Sequence, residues 1–528
     1  MNRLDYMVQV EDLQASPELQ ARIAALAGEV KRPRRKFRPW MGVCAALAVV
    51  VLGGAWLMTN VGLGGSSAGG GGHDEASTFM SYAGPVFPLT LAEENDSITA
   101  QRDVTLDFSP WEPVEVDGHT RRSDHILVTD SYTLTNHSAE DQTVTFLYPF
   151  ASALHQLGES MPTLQADGTE LETTLRVGAY SGGFEGVWDG TLGGDPEGSV
   201  NLDYAESWED YKALLSDGTY LSNALGEGPS VSGIPVTVYA FTDPYSPPED
   251  EEAGIPNPSL QARFDLDYDK TVVLSWGFHS GHYDQENGTM IQGFSIPQPG
   301  ERGYGEETYY LLVVGEDIRN LTTGGYVTGG ADPDTPALEG CGVTVERYES
   351  DLDTMLRTIL TPYWEDREWE DVYGNLSWKI DFELWYRTFL EYLLSYGLLS
   401  PHAAERYGAG WLADIAGDVS VVDRVCWLEG EVTIPAGESI SLTAAMTKEA
   451  SYDYYCAHTE NQGIKGYDLV TRLGSNLTCT AQTATLEDRG LIEIVRQNFG
   501  FDLENGVNTV TLDPETEHYY LEVKRVTE

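Results

Sequence analysis

Positive charge is what this chain has least of beyond its first few dozen residues. Its 528 residues hold 31 Lys and Arg against 84 Asp and Glu, a formal net charge of −53. Eight of the basic residues and five of the acidic ones fall in positions 1–38, leaving 23 basic and 79 acidic residues for all that follows. A surface of that sign repels phosphates and anionic headgroups, which excludes nucleic acid as a partner. It tolerates salt and attracts divalent cations, although solubility alone also accounts for it. Cysteine is scarce too, at five residues. Cys44 lies in an apolar run; Cys341, Cys426, Cys456 and Cys479 form an even set that permits two disulfides in three pairings, or stands as buried thiols. Their spacing matches no zinc ribbon or finger. Catalytic signatures are missing as well. No H-E-x-x-H occurs, and no Ser stands three residues before a Lys, so the zincin and penicillin-binding patterns are absent. Gly65-Ser66-Ser67-Ala68-Gly69 matches G-x-S-x-G, but no strand precedes it and no helix follows, so it is a chance match.

Long hydrophobic runs are absent except for one. Trp40 to Met58 carries no charge and is rich in Ala, Val and Leu, and continuing through Val61 and Leu63 makes it long enough to cross a hydrocarbon core of about 30 Å. Lys31, Arg32, Arg34, Arg35, Lys36 and Arg38 stand immediately before it, which places residues 1–38 in the cytoplasm and the rest of the chain outside. A signal peptide cleaved near Ser66 and Ala68 is the competing reading, but the run is longer than a signal core and 38 residues precede it. The expectation is a single-pass signal anchor over residues 39–63 in the cell membrane. In the cytoplasmic segment, Ser16-Pro17-Glu18 opens a helix bearing Leu19, Ile23, Leu26 and Val30 on one face. So short a helix cannot bury that face alone. Residues 16–30 lie on the inner leaflet, stay half-formed or dock on a cytoplasmic protein partner. After the anchor, residues 64–98 open with Gly69-Gly70-Gly71-Gly72 and read as a flexible tether.

The outside region reads as mainly β: two antiparallel β-sandwich-like ectodomains, 99–348 and 419–528, with a helical insert at 349–418. His125 to Asn136 alternates, Asn136 to Asp141 supplies a turn, and Thr143 to Phe150 returns as the second strand of a hairpin. Further strands are expected at Val236–Phe241, Thr271–Phe278, Thr289–Ile296, Tyr309–Val314 and Val343–Tyr348, then at Glu431–Ile434, Ser439–Met446, Leu491–Arg496, Val507–Leu512 and Tyr519–Val526. Ala179–Gly198 is a Gly-rich loop, and Ser207–Leu215 a short helix. In the insert, Ser350, Ser377 and Ser400-Pro401 open three helices, the middle one presenting Phe382, Trp385, Phe389, Tyr392 and Leu393 at helical spacing. A buried face explains that stripe better than an aromatic ligand groove.

Two constellations would suit a metal. Asp265, Asp267 and Asp269 form D-x-D-x-D, which would suit calcium, yet Lys270 stands where an EF-hand needs Gly and Trp276 where it needs Glu. Phe264, Leu266 and Tyr268 alternate with the acids, so a strand with one acidic face accounts for them. His279, His282 and Asp284 have the donor types of a zinc site, without a helix to set their spacing. Glu365-Asp366 and Glu370-Asp371 beside Trp364 and Trp369 suit a carboxylate-based glycosidase, though among so many acids such pairs arise by coincidence. N-x-S/T triplets at Asn95, Asn136, Asn287, Asn320, Asn375 and Asn476 read as surface loops.

The layout of basic head, single helix and large outer region resembles bacterial membrane-anchored anti-sigma and envelope-sensor proteins over the first 60 residues or so, without a zinc-binding His/Cys pattern. The hairpin ending in Tyr148-Pro149-Phe150 resembles the inter-alpha-trypsin type of β-sandwich, and the outer region as a whole looks like secreted proteins of Gram-positive anaerobes. These resemblances imply an extracytoplasmic binding or sensing protein for an extracellular protein or glycan, with an extracellular glycosidase as the alternative.

Overall fold

The computed structural model describes residues 84–116, 119–180, 224–226, 228–300, 308–329, 335–365, 380–395, 399, 411–421, 423–453 and 461–526. The expected cytoplasmic helix, the expected anchor at 39–63, most of the expected tether at 64–98, all but the start of the expected Ala179–Gly198 loop, the expected Ser207–Leu215 helix, Ser377, Ser400, Pro401, Cys44, Cys456 and Asn375 lie outside them. Among the described residues no helix is long and apolar enough to cross a membrane. The structure is mainly β, with several antiparallel sheets, and it divides into two compact units. One comprises Gly228–Glu368 and Trp385–Val419; the other takes its strands from both sides of that stretch.

The discontinuous unit follows from period-2 burial. In Ile126–Asn136 every second residue is buried: Ile126, Val128, Asp130, Tyr132, Leu134 and Asn136. Ile98–Asp107 repeats the pattern with Ile98, Ala100, Arg102, Val104 and Leu106. These two strands lie in a seven-stranded sheet ordered Thr509–Thr511, Thr478–Glu487, Ile98–Asp107, Ile126–Asn136, Ser439–Lys448, Thr163–Ala166, Thr169–Glu170. One junction, Ile98–Asp107 with Thr478–Glu487, is parallel. A four-stranded sheet orders Thr90–Leu91, Gln142–Ala153, Asp423–Ile434 and Thr174–Tyr180. Another holds Tyr452–Asp453, Lys465–Val470, His518–Arg525 and Ile492–Gln497.

This pairing corrects the two-sandwich expectation. Strands before residue 181 and after residue 422 hydrogen-bond to each other, so 99–180 and 423–526 build one unit rather than two. The expected hairpin is also revised. Ile126–Asn136 and Gln142–Ala153 form as strands but in different sheets, pairing with Ser439–Lys448 and Asp423–Ile434 respectively. Each sequence-adjacent pair is therefore an arch between sheets, and the two arches run side by side. Asn136, fully buried, locks their turns: its Nδ2 donates to Glu140 O (2.8 Å) and Ile434 O (3.0 Å). Asp141 Oδ1 accepts from Ala436 N at 3.0 Å. Gly430 sits opposite Phe146, whose ring lies where a Cβ would project, so only glycine fits that position.

The inserted unit is a separate sandwich. One sheet orders Thr271–Trp276, Tyr309–Gly315, Pro235–Tyr245 and Gly342–Asp351; the other orders Ser280–Asp284, Thr289–Ser295, Ser259–Asp265 and Arg319–Tyr326. Between them lies a core of Tyr239, Phe241, Leu260, Phe264, Met290, Phe294, Tyr309 and Leu311 with their neighbours. Phe294 stacks on Tyr309 with centroids 3.8 Å apart, and Phe278 meets Phe241 and Phe294 edge-on. The helix Leu352–Glu365 buries Leu352, Met355, Leu356, Ile359 and Leu360 as its spacing predicts, and its Tyr363 packs edge-on against Trp276 of the first sheet. Its cap is Asp351, whose Oδ1 accepts from Thr354 N, rather than Ser350, because the preceding strand runs on to 351. The next helix, Phe382–Ser395, is capped by Asp381. It buries Trp385, Phe389, Tyr392 and Leu393 of the face read from the sequence, while Phe382 at its start is half-buried. The last helix is Leu412–Val421.

Candidate functional site

The residues singled out as metal ligands are occupied elsewhere. Asp265 ends the Ser259–Asp265 strand and its Oδ2 accepts from Asn320 Nδ2 at 2.6 Å. Asp267 pairs with Lys270 Nζ at 2.8 Å and accepts from Asp269 N, so it shapes the turn into the next strand. Phe264, Leu266 and Tyr268 are buried between the half-exposed acids, as a one-sided acidic edge requires. His279 Nε2 accepts from Ser295 N at 2.8 Å, and burial pushes its pKa below the usual value, so the ring is neutral with its acceptor lone pair used. His282 is exposed, and both oxygens of Asp284 serve Asn287 N and Nδ2. Among the described residues no group of three or more His, Cys, Asp or Glu side chains is placed to hold a metal ion. Cys341 and Cys479 carry free thiols. Of the paired acids beside Trp364 and Trp369, only Glu365 is described. Asn136, read as a surface triplet, is instead fully buried.

A different site emerges around residues 84–91. Residues 84–91 form a strap fastened into the discontinuous unit along its whole length. Lys448, an inward-facing residue of Ser439–Lys448, donates from Nζ to Gly84 O at 2.6 Å. Val86 makes a parallel bridge with Leu469, donating to Asp468 O and accepting from Val470 N. Arg102 Nη2 donates to Phe87 O, and Nη1 to Val470 O. Leu89 N donates to the Tyr132 hydroxyl, and Leu89 O accepts from Ser475 Oγ. Asn476 clasps Leu91 through both its N–H and its carbonyl, at 2.9 Å each.

Behind the strap lies a fully buried ion pair. Arg102 Nε and Nη2 donate to the two oxygens of Asp130 at 2.8 Å each, with both side chains at 0% exposure. Burial works against the guanidinium charge, but Asp130 outweighs it and holds the Arg102 pKa above its ordinary value. The hydroxyls of Tyr132 and, from the facing sheet, Tyr148 donate to Asp130 Oδ2 at 2.9 and 3.1 Å. Burial pushes both phenols well above their ordinary pKa, which keeps them donors. The carboxylate is thus supplied with the donors a buried charge needs.

At the N-terminal end of the strap a cleft opens, lined by Pro85, His125, Phe150, Gln156, Glu159, Ser160, Met446, Lys448 and Glu449. Its volume is about 40 Å³, room for a few water molecules and well below the several hundred Å³ of an ordinary small-molecule site. Its polar pair follows from register. Ile126 stands opposite Lys448, so the next residues out, His125 and Glu449, meet across the sheet. His125 Nε2 lies 3.2 Å from Glu449 Oε1, and Gln156 Nε2 donates to the same oxygen at 3.1 Å. The hydrogen bond with Glu449 raises the His125 pKa, with the Glu159 and Asp124 charges acting the same way, and in return lowers that of Glu449. Neighbouring His155 donates from Nδ1 to Ser420 O at 2.9 Å and is pushed down by burial.

Neither the Arg102–Asp130 pair nor the His125–Glu449 pair stood out in the sequence. Arg102 and Asp130 occupy inward positions of alternating strands, where the pattern gives no sign of charge. His125 and Glu449 are 324 residues apart, and only the strand register joins them. The chain matches no protein-family model, and comparison with curated proteins returned no significant match.

Proposed function

We propose that the protein is a membrane-anchored extracytoplasmic binding or sensing protein, whose discontinuous unit holds the chain that follows the anchor at the strap and cleft around residues 84–91. The observation that carries this reading is the fastening of the strap. Residues 84–91, expected as part of the flexible 64–98 tether, are instead bonded along their length to the core, and the clasp on Gly84, Lys448, adjoins the titratable pair His125–Glu449. A change at the cleft is therefore one residue away from the hold on the strap. Such a change shifts the strap only as far as the ligand or proton prefers one arrangement over the other. The charge asymmetry of the chain and the anchor at residues 39–63 support the placement, with an extracellular protein or glycan at the outer face and a cytoplasmic protein on residues 16–30.

The test is crosslinking of the full-length protein in its native membrane, beside a Leu19→Asp/Ile23→Asp variant. A cytoplasmic partner captured by the parent and lost from the variant supports signalling through residues 1–38. Extracellular partners alone, unchanged in the variant, would sink the sensing half and leave a tethered binding protein. A second arm reads hydrogen exchange of residues 84–91 in the parent and in Glu449→Gln. Faster exchange in the variant ties the cleft to the strap; identical exchange uncouples them.

A further inference from the structure

The inserted unit leaves one long strand at the end of a sheet. Gly342–Asp351 pairs with Pro235–Tyr245 on one side, and no described residue pairs with its other side. Glu346, Arg347, Tyr348 and Glu349 are four exposed residues in succession, with Tyr348 at 39%. A long, exposed edge presents a row of N–H and C=O groups that another strand can take up.

Which backbone groups point outward follows from the pairing. Asp351 lies opposite Pro235, which has no N–H, and Leu352 N donates to Ile234 O. Even-numbered residues therefore bond to the neighbouring strand, and Val345, Arg347, Glu349 and Asp351 direct their backbone groups away from it. Two copies related by a two-fold axis must match outward groups with outward groups, so only registers centred on a residue are allowed. Centring on Glu346, Arg347 or Glu349 sets that charge against its own copy. Centring on Tyr348 sets Arg347 opposite Glu349 twice over, Glu346 opposite Ser350, and Tyr348 against Tyr348. Arg347 already pairs with Asp317 at 2.6 Å, which fixes its head at the strand's surface.

We propose that this edge joins two copies of the chain, antiparallel, with Tyr348 on the two-fold axis and Arg347 of each copy against Glu349 of the other. The charges that would keep other strands off the edge are self-complementary in this one register.

Cysteine pairs read the register directly. Tyr348 would form a non-hydrogen-bonded pair with its copy, with Cα atoms about 4.5 Å apart, within disulfide reach. In the full-length protein in membranes, Tyr348→Cys should give a disulfide-linked dimer on mild oxidation. Glu346→Cys should not, because its copy lies about 13 Å along the strand. Glu346→Cys mixed with Ser350→Cys should crosslink. The parent protein, with its native thiols, is the control. Arg347→Glu should reduce non-covalent dimer, trapped by an amine-reactive crosslinker, at least tenfold, and Arg347→Glu/Glu349→Arg should restore it. Equal crosslinking of Tyr348→Cys and Glu346→Cys would mean collision without register and overturn the proposal. So would no crosslinking of Tyr348→Cys in a folded, membrane-inserted protein, or an Arg347→Glu variant that dimerises like the parent.

Discussion

The two units are both mainly β, yet among the described residues only the discontinuous one adds buried charge to an apolar interior. The inserted unit buries hydrocarbon: Phe241, Phe264, Phe278, Phe294 and Tyr309 interlock between its sheets. The discontinuous unit buries charge: Arg102, Asp130 and Lys448 point inward at positions where alternation would put an aliphatic side chain. Apolar packing is non-directional and tolerates substitution so long as volume is kept. A buried ion pair is directional, because each lost partner strands the other in a medium that cannot solvate it. The unit that assembles from distant parts of the chain is the one that carries the directional core. Arg102 is bonded at once to Asp130 on the next strand, to Phe87 on the strap and to Val470 nearly four hundred residues on. Those bonds can be satisfied together in one arrangement of the segments, which suits a unit that must choose among many possible strand pairings.

The largest test of that contrast is Asp130→Ala. It leaves the Arg102 guanidinium buried without a counter-charge and should cost about 3–5 kcal/mol. Denaturant unfolding monitored by hydrogen exchange in Ile98–Asp107 and Ile126–Asn136 measures it, and replacing both residues by Met and Leu should recover most of the loss. A single-variant loss under about 1 kcal/mol would remove the distinction between the two cores. Next, Phe294→Ala should cost about 3–4 kcal/mol in the inserted unit. Phe294→Leu should cost no more than about 1.5 kcal/mol, since an apolar core accepts a near-isosteric change. Exchange in Tyr309–Gly315 is the readout, and equal costs for the two variants would mean that this core is as exacting as the other. Asn476→Ala removes the clasp on Leu91 and should cost about 1–2 kcal/mol, visible as faster exchange of residues 84–91 before any other segment. Simultaneous exchange of the whole unit would show that the strap has no stability of its own.

The smallest effect is pH-dependent. His125 and Glu449 are 34% and 50% exposed, so solvent screening limits the pair to less than about 1 kcal/mol. The His125 pKa is raised in the fold, so its contribution is full below 6.5 and fades as pH rises through the folded value. The Glu449 pKa is lowered, so its contribution is full above 4.5 and fades as pH falls through the folded value. Stability should therefore exceed that of His125→Gln most between pH 4.5 and 6.5, read from melting curves of the two proteins across pH 4 to 9. A constant difference over that range would remove the pair as a titrating element.

Much of the local structure was legible. The strands Ile126–Asn136 and Ser439–Lys448, the Leu352–Glu365 helix with its five buried residues, and the aromatic stripe from Trp385 to Leu393 fall where periodicity puts them. The acids at 265, 267 and 269 do form a half-exposed edge. The candidate site was not legible, because its parts are contributed by distant segments that share no local pattern. Nor was the domain division. Asn136–Asp141 and Pro435–Glu438 look like hairpin turns, and an arch needs the same turn residues; what separates the two is whether the flanking strands find better partners elsewhere.

By itself the sequence determined what depends on neighbours along the chain: strand and helix periods, turn and cap chemistry, the segregation of basic from acidic residues, and the single long apolar run. The tertiary structure alone decided which strands pair, which polar residues go inside, and that His125 faces Glu449. Hydrogen bonding between strands is indifferent to the identity of the side chains, so many pairings satisfy the backbone equally. The choice among them rests on contacts such as Arg102–Asp130 and Asn136–Ile434, which exist only once distant segments have met.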